Sequence, residues 1–523
     1  MHFLKLEEMT IEQKIGMVMC ARRFTEEDVD FIVELVKKRA LGCVQPYAEQ
    51  TDIIKRIVEA ADYPLLVFND TERGFPTAPT PKTPLISLAA CDNEEYYKAY
   101  AKGVVHYAQE AGYNGTWGPV IDVLTGDGPC AVHRSFSDKP EKVAECAEII
   151  AKIYKQNHYL STGKHYPGFH EHQIYDTHMT EGSCGDTRET MLATSLVPYK
   201  KLLEKDLLPC VMSMHTVYHN VDPDHPATLS KKVIDILRND VGFDGVLFTD
   251  SLAMMGILQK YGEENVYGMA IGAGVDIVLC NYCTSVKDCY EMIKKNFEDG
   301  LFSEERLDEA VRRVLKAMEF VGTKPENPTV FTDEDMKTLE DVSKACITAV
   351  TDEDVPTALT GEDKDRLFII LTENNFVADS DGAEITATGW YHPENIAKKI
   401  KENFPNSGIA YVKEFSDAGS NERVLREATK YKEVVFVTFC MTGCYIGTDG
   451  LTRRTEALFN SLALSGKIST VLHFGNPYAL KNLLHVPRRI FGYHIPESQE
   501  HAIDVLAGKL EAKGKVPFEI ELQ

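Results

Sequence analysis

The sequence predicts an α/β protein in two parts, a (β/α)8 barrel of the TIM type followed by a second, smaller α/β sandwich domain. Three observations carry the prediction. Over roughly the first 320 residues, a short apolar run, a polar or glycine-bearing break and a longer amphipathic stretch recur in turn, the βα alternation of a parallel sheet. The segment Gly322-Thr323-Lys324-Pro325-Glu326-Asn327-Pro328 then interrupts the pattern and reads as a linker. Beyond it the alternation resumes with too few strands to close a barrel. The expected division is a barrel over 1–325, a linker and connecting helix over 326–350 and an α/β sandwich over 351–523.

In chain order, apolar runs at 41–44, 64–68, 116–121, 161–165, 208–214, 245–249 and 275–279 supply seven strands; an eighth is expected but hidden. Helices are expected at 94–110, at 140–157 after Ser137 or Asp138, and at 230–238, where Ser230 is a plausible N-cap. Seven or eight βα units over this length fit a closed barrel better than an open sheet. The first domain ends with a helix at 310–320, and a further helix at 335–350 leads into the second. There, strands are expected at 366–371, 408–412, 433–439, 470–474 and 489–493, with helices at 421–429 and 455–464 between them.

Composition excludes several function classes. Lys plus Arg number 56 and Asp plus Glu 80, a net charge of −24, which is the wrong sign for nucleic acid or an anionic bilayer. No run approaches the 18 or so apolar residues of a membrane span, and the start of the chain has no basic segment followed by an apolar one. The 13 cysteines are scattered and sit mostly in apolar runs, which suits reduced thiols and a cytoplasmic location. Cys280 and Cys283 form a lone C-x-x-C without a second pair of ligands, which reads as buried thiols after a strand and not as zinc.

In a barrel, site residues follow the carboxyl ends of the strands. Those positions hold Asp70, Asp122, Lys164 with His165, His215, Asp250 and Asn281. Taken singly, each could be a strand-terminal cap or a solvated polar group; together they describe an acid- and imidazole-lined cup suited to a polyhydroxylated small molecule. No glycine-rich phosphate loop follows any strand.

The densest stretch runs from Lys164-His165-Tyr166-Pro167-Gly168 through Phe169, His170 and His172 to Asp176-Thr177-His178. Four histidines raise the question of a metal, but no helical H-E-x-x-H is present, and Pro167 and Gly168 argue for a loop. In Asp176-x-His178 the carboxylate can hold one imidazole nitrogen and leave the other to exchange a proton; the bland alternative is a solvated loop histidine. The second stretch, Gly242-Phe243-Asp244-Gly245-Val246-Leu247-Phe248-Thr249-Asp250, delivers a carboxylate to the rim. Such a carboxylate can attack an anomeric carbon and leave again. Met254 and Met255 read as core.

These two stretches resemble glycoside hydrolase family 3, in its β-N-acetylhexosaminidase branch and two-domain form. That branch carries Lys-His-(Phe/Tyr)-Pro-Gly ending in Asp-(Ser/Thr)-His, and Gly-Phe-Asp-Gly leading to (Ser/Thr)-Asp. Further matches occur in order over most of 10–285: Thr10 to Gly16, Gly118-Pro119-Val120-Ile121-Asp122, Arg134-Ser135-Phe136, and Val211 to His215 leading to Asn220-Val221-Asp222-Pro223. Phe474-Gly475-Asn476-Pro477-Tyr478 marks a weaker similarity to the family's second domain. Three departures stand out, one of them a loop to Asp176-Thr177-His178 that is one residue longer than the branch's. Phe169-His170 replaces His-Gly after the Pro-Gly, and Glu72-Arg73-Gly74-Phe75-Pro76 replaces Glu-Gly-Gly-Arg-Val after Asp70.

The resemblance implies a retaining exo-β-N-acetylglucosaminidase that releases terminal N-acetylglucosamine from short glycans such as cell-wall fragments or a chitin disaccharide. It implies Asp250 as nucleophile and His178, oriented by Asp176, as acid/base. Asp70, Arg134, Lys164 and His165 would hold the sugar, with His215 in the same cup, and no cofactor or metal would be needed. Two alternatives remain at this point: a β-N-acetylglucosaminide phosphorylase or other β-glycosidase of the family, and an inactive sugar-binding protein. The partner expected is a small saccharide, with no nucleic acid and no membrane.

Overall fold

A computed structural model describes residues 2–124, 134–168, 176–372, 377–378, 384–385, 391–440, 445 and 450–519. The chain divides into two compact units. One comprises residues 1–81 and 94–339, the other 82–93 and 340–523.

The first unit is a parallel barrel of eight strands: β1 (Met19–Ala21), β2 (Cys43–Val44), β3 (Leu66–Asn69), β4 (Gly115–Thr116), β5 (Thr162–Tyr166), β6 (Cys210–Ser213), β7 (Val246–Ser251) and β8 (Ile277–Leu279). Each pairs with its neighbours in chain order, and β8 pairs with β1. The circle closes between β4 and β5 by two isolated parallel bridges, Val120–Lys164 and Gly115–Leu160; at the second, the Thr116 N–H donates to the Leu160 carbonyl and the Leu160 N–H to the Asn114 carbonyl, both at 2.9 Å.

The hidden strand is β1. Its three residues are wholly buried, but Met-Cys-Ala has no β-branched residue, and it directly follows the helix Ile11–Met17. A Thr10–Gln13 capping box starts that helix. Of the run expected at 116–121 only Thr116 belongs to β4; Pro119 has no N–H to donate, and beyond it Val120 pairs with Lys164 as an isolated bridge.

Inside the barrel, Phe68 from β3, Trp117 after β4 and Phe248 from β7 form one aromatic cluster, with ring centroids 4.5–5.4 Å apart. Gly115 is required beside it, since a Cβ there would stand 2.3 Å from the Phe68 ring. The helices Glu94–Glu110, Pro140–Gln156 and Glu304–Gly322 occupy the expected crossovers. The one that starts with Pro140 is preceded by Lys139 at its N-cap, so neither Ser137 nor Asp138 caps it. Ser230 does cap the helix Lys231–Asp235, accepting from the Val233 N–H at 3.2 Å. On the carboxyl side, the strands Gly182–Cys184, Thr216–Tyr218 and Asp222–Pro226 form a small separate sheet.

The second unit is built on a six-stranded sheet of β9 (Thr348–Thr351), β10 (Arg366–Thr372), β11 (Gly408–Lys413), β12 (Glu433–Cys440), β13 (Ile468–Gly475) and β14 (Arg488–Tyr493). The spatial order is β9-β14-β13-β12-β10-β11, parallel except for the β9–β14 pair. The five parallel strands, β11-β10-β12-β13-β14, follow the doubly wound 2-1-3-4-5 order. Helices Pro393–Asn403 and Ser498–Leu506 pack together, as do Ala418–Ala428 and Arg453–Leu464. The helix expected over 335–350 ends at Ala345, and its last residues form β9. Thr348, Ala349 and Val350 find a ladder on β14, which a four-residue apolar pattern cannot announce.

Candidate active site

The barrel's parallel strands bring their carboxyl ends to one face, and the chemistry collects there. Asp250 stands near the end of β7. Burial opposes its ionisation, but the charges of His165, His215 and His178 and a 2.6 Å hydrogen bond from the Ser251 N–H hold its pKa down at about 2. It is a carboxylate throughout the neutral range.

Asp176 is buried and accepts twice from His178: from the backbone N–H at 2.9 Å and from ring Nδ1 at 2.8 Å. A carboxylate can only accept, so Nδ1 carries the proton and exchange falls to Nε2. The turn is docked on the start of the helix Met255–Tyr261, which follows β7. Met255 N–H donates to the His178 carbonyl and Gly256 N–H to the Thr177 carbonyl, both at 3.1 Å. Gly256 permits the approach, since a Cβ would lie 2.5 Å from both the Thr177 and the Thr180 carbonyl oxygens.

Across the cup lies a charged sector built from β3 and β5. The Lys164 ammonium, 3% exposed, reaches Asp70 at 2.9 Å and Glu72 at 2.6 Å. Arg134 grips Glu72 with two hydrogen bonds of 2.6 Å, from Nε and Nη2. Burial disfavours charge on both Lys164 and Glu72. The acids beside Lys164 nevertheless raise its pKa, and the fields of Arg134 and Lys164 hold Glu72 well below the usual carboxylate range. Asp70 keeps about half its side-chain surface exposed (53%) and can accept a hydrogen bond from a ligand hydroxyl. Arg73 beside Glu72 is depressed by burial, against the pull of that carboxylate.

His165 joins this sector to the centre. Buried Asp122 accepts from its backbone N–H at 2.9 Å and from Nδ1 at 2.7 Å, while Arg134 Nη2 lies 3.4 Å from Nε2. Asp122 is fixed in turn by the Ser135 hydroxyl, which donates to its carbonyl. His215 is wholly buried and both its ring nitrogens are engaged. Nε2 lies 3.0 Å from the Ser251 carbonyl and Nδ1 2.9 Å from the Thr228 hydroxyl. Burial lowers its pKa despite the neighbouring Asp250. Nε2 therefore donates to the Ser251 carbonyl, while the Thr228 hydroxyl beside Nδ1 donates to the Met214 carbonyl at 2.8 Å. This sets His215 beside Asp250, bracing the end of β7.

The structure thus brings Asp70, Arg134, Lys164, His165, Asp176, His178, His215 and Asp250 to one end of the barrel. Asn281, the other rim residue, is turned to the protein and donates to Glu263 at 3.0 Å. His170 and His172 lie outside the described residues. Three contributors escaped sequence reasoning. Glu72 had been visible only as a departure in a motif. Arg22 follows the hidden β1 and donates to the Ser251 hydroxyl at 2.5 Å. Thr228, 13 positions beyond His215, lies 2.9 Å from that histidine's Nδ1.

Among the described residues no group of three or more His, Cys, Asp or Glu side chains is placed to hold a metal ion. A cavity of about 360 Å³ opens at the other end of the strands, beside Leu160, Leu208, Pro209 and Val246. No histidine lines it, and Asp206 and Asp244 there pair with Lys155 and Arg313.

Residues 8–317 match the sequence profile of the glycosyl hydrolase family 3 N terminal domain. The chain is 31% identical over 237 residues to a beta-hexosaminidase of Tolumonas auensis, a stretch spanning 44% of this chain and 70% of that protein. It is 36% identical over 165 residues to a beta-hexosaminidase of Neisseria meningitidis serogroup C, spanning 31% of this chain but only 45% of that protein. Among solved structures, 98% of the chain superposes on all of a glycoside hydrolase family 3 beta-N-acetylglucosaminidase from Paenibacillus sp. str. FPU-7, with TM-score 0.78 and 21% identity. A beta-glucoside phosphorylase bound to 2FGlc gives the same score and identity, with 95% of that chain covered. At these identities the structural likeness establishes fold.

Proposed function

The chain belongs to glycosyl hydrolase family 3, and from that premise we propose that it is a retaining exo-β-N-acetylglucosaminidase acting on short glycans in the cytoplasm. The observation that carries the reading is the pairing of an ionised Asp250 with the Asp176–His178 dyad on a turn bonded to the helix that follows β7. The similarity to beta-hexosaminidases supports the choice of sugar.

In the first step an Asp250 oxygen attacks the anomeric carbon as the bond to the leaving oxygen breaks, and protonated His178 gives its Nε2 proton to that oxygen. In the second, neutral His178 takes a proton from water. The water oxygen bonds to the anomeric carbon, and Asp250 departs as a carboxylate. Asp176 favours the imidazolium in the first step and fixes the ring in both. Asp70, Lys164 and Arg134 hold the sugar hydroxyls, with Glu72 keeping the two cations in place. Turnover of aryl glycosides of N-acetylglucosamine and of glucose tests the reading: the N-acetyl substrate should be clearly preferred, and a preference for glucose overturns the assignment.

Phosphorolysis is the second reading. An imidazole repels an incoming phosphate less than a carboxylate would, and the likeness to a solved beta-glucoside phosphorylase keeps it in view. A sugar 1-phosphate formed only in the presence of phosphate would establish it.

A further inference from the structure

Among its described residues the barrel unit exposes seven large apolar side chains, and four of them, Tyr47, Met179, Met255 and Tyr282, lie on segments leaving the carboxyl ends of β2, β5, β7 and β8. The segments that carry three of these four form a linked arc. Met179 follows His178 directly, and the Met255 N–H is bonded to the His178 carbonyl. Arg22 bridges onward, with a guanidinium nitrogen 2.5 Å from the Ser251 hydroxyl, next to Asp250, and its carbon 5.3 Å from the centre of the Tyr282 ring. Met179, Met255 and Tyr282 are 44%, 39% and 38% exposed. The arc therefore spans β7, β8 and the turn that carries His178. The ionic network of Asp70, Glu72, Arg134 and Lys164 occupies the sector of β3 to β5.

A cup with one charged and one apolar sector distinguishes the two halves of a glycoside. The hydroxyls of the reacting sugar match the charged sector. The leaving group must lie beside the residue that protonates its oxygen, which puts it on the side of His178. Exposed apolar side chains gathered at one place mark a binding surface; methionine adapts to irregular shapes, and a tyrosine ring offers a flat apolar face.

We propose that Met179, Met255 and Tyr282 form the leaving-group subsite, and that this subsite selects an aglycone with an apolar face, whether an alkyl or aryl group or the C–H face of a second sugar ring. The proposal rests on the glycosidase reading. It also corrects the expectation that Met255 belongs to the core.

The test compares N-acetylglucosaminides whose leaving groups match in basicity: methyl with octyl, and phenyl with 2-naphthyl. The chitin disaccharide serves as the sugar arm. We expect kcat/KM to favour the larger apolar aglycone by about tenfold, mainly through KM. Met255→Ser and Tyr282→Ala should each cut that ratio several-fold, while inhibition by free N-acetylglucosamine is unchanged. A disaccharide preferred over octyl assigns the surface to a sugar face; the reverse assigns it to an alkyl or aryl group. Equal rates within each pair and for the disaccharide, or a ratio that survives both substitutions, would overturn the proposal. If no glycoside is turned over, the glycosidase reading fails, and calorimetry with the uncleaved methyl and octyl thioglycosides then decides the subsite alone: tighter octyl binding that both substitutions weaken supports it, and equal affinities overturn it.

Discussion

The role proposed for His178 leaves a kinetic signature at the scale of one side chain. A proton donor matters most where the leaving oxygen is basic, so His178→Ala should slow glycosides with poor leaving groups by about 10²- to 10⁴-fold and activated aryl glycosides far less. Asp176→Ala should show the same pattern more weakly, since the imidazole remains but loses the carboxylate bonded at 2.8 Å. Equal slowing of both classes would move the acid role elsewhere, with His170 and His172 next to test. For Asp250, a slow fluorinated substrate should leave its label on the peptide that contains this residue, and Asp250→Asn should abolish labelling. A label on another carboxylate would overturn the assignment. The placement of Asp250, Asp176 and His178 was legible in sequence because it needs only a strand end or a two-residue spacing. Glu72 was not, because its partners lie 62 and 92 positions away.

At the scale of elements, the geometry turns on how the Asp176–His178 turn meets the helix that follows β7. Gly256 admits two backbone carbonyls that a Cβ would strike at 2.5 Å, and backbone cannot swing aside as a flexible side chain can. Gly256→Ala should therefore displace the Asp176–His178 turn. The expected result is a loss on poor leaving groups of about tenfold or more, smaller than in His178→Ala, with labelling of Asp250 retained. If activated and unactivated substrates suffer alike, the glycine supports the fold and not the dyad. Strand existence was readable for seven barrel strands because apolar runs bounded by breaks carry it. β1 was not, since a three-residue strand continuing an apolar helix has no period of its own. The helix expected over 335–350 gave up its end to β9 because a partner strand, β14, lies alongside.

For the molecule as a whole, the pH dependence of stability should carry a term from His473. This residue is fully buried on β13, with Nδ1 2.8 Å from the Thr438 hydroxyl and Nε2 2.6 Å from the Asn476 carbonyl, the arrangement of a neutral ring. Burial lowers its pKa to about 4. Above the ordinary histidine value near pH 6.5, folding loses nothing on its account. As pH falls from about 6.5 towards 4, the unfolded chain takes up a proton that the folded one refuses, so stability declines by up to about 3 kcal/mol. His473→Asn should destabilise the protein at neutral pH and flatten this decline. Denaturant unfolding at pH 7 and pH 5 measures it, and an unchanged slope in the variant would remove His473 as the cause.

Local patterns determined the fold class and the place of the two motifs at the strand ends. Hydrophobic period distinguishes strand from helix within a few residues, and a βα repeat leaves a barrel as its compact closure. Tertiary structure alone decided how the site is held. Barrel closure brings Arg22 to Ser251, 229 positions on, and Lys164 to Asp70, 94 positions back. It also brings His215 to the Ser251 carbonyl beside Asp250, and sets exposed Met179 and Met255 on the two backbone segments that meet at His178. Residues 82–93 group with the second unit, where the Lys515 N–H bonds the Ala90 carbonyl at 2.8 Å and the Lys515 ammonium pairs with Asp92. None of this has a sequence period, because a hydrogen bond depends on distance in space and is indifferent to separation along the chain.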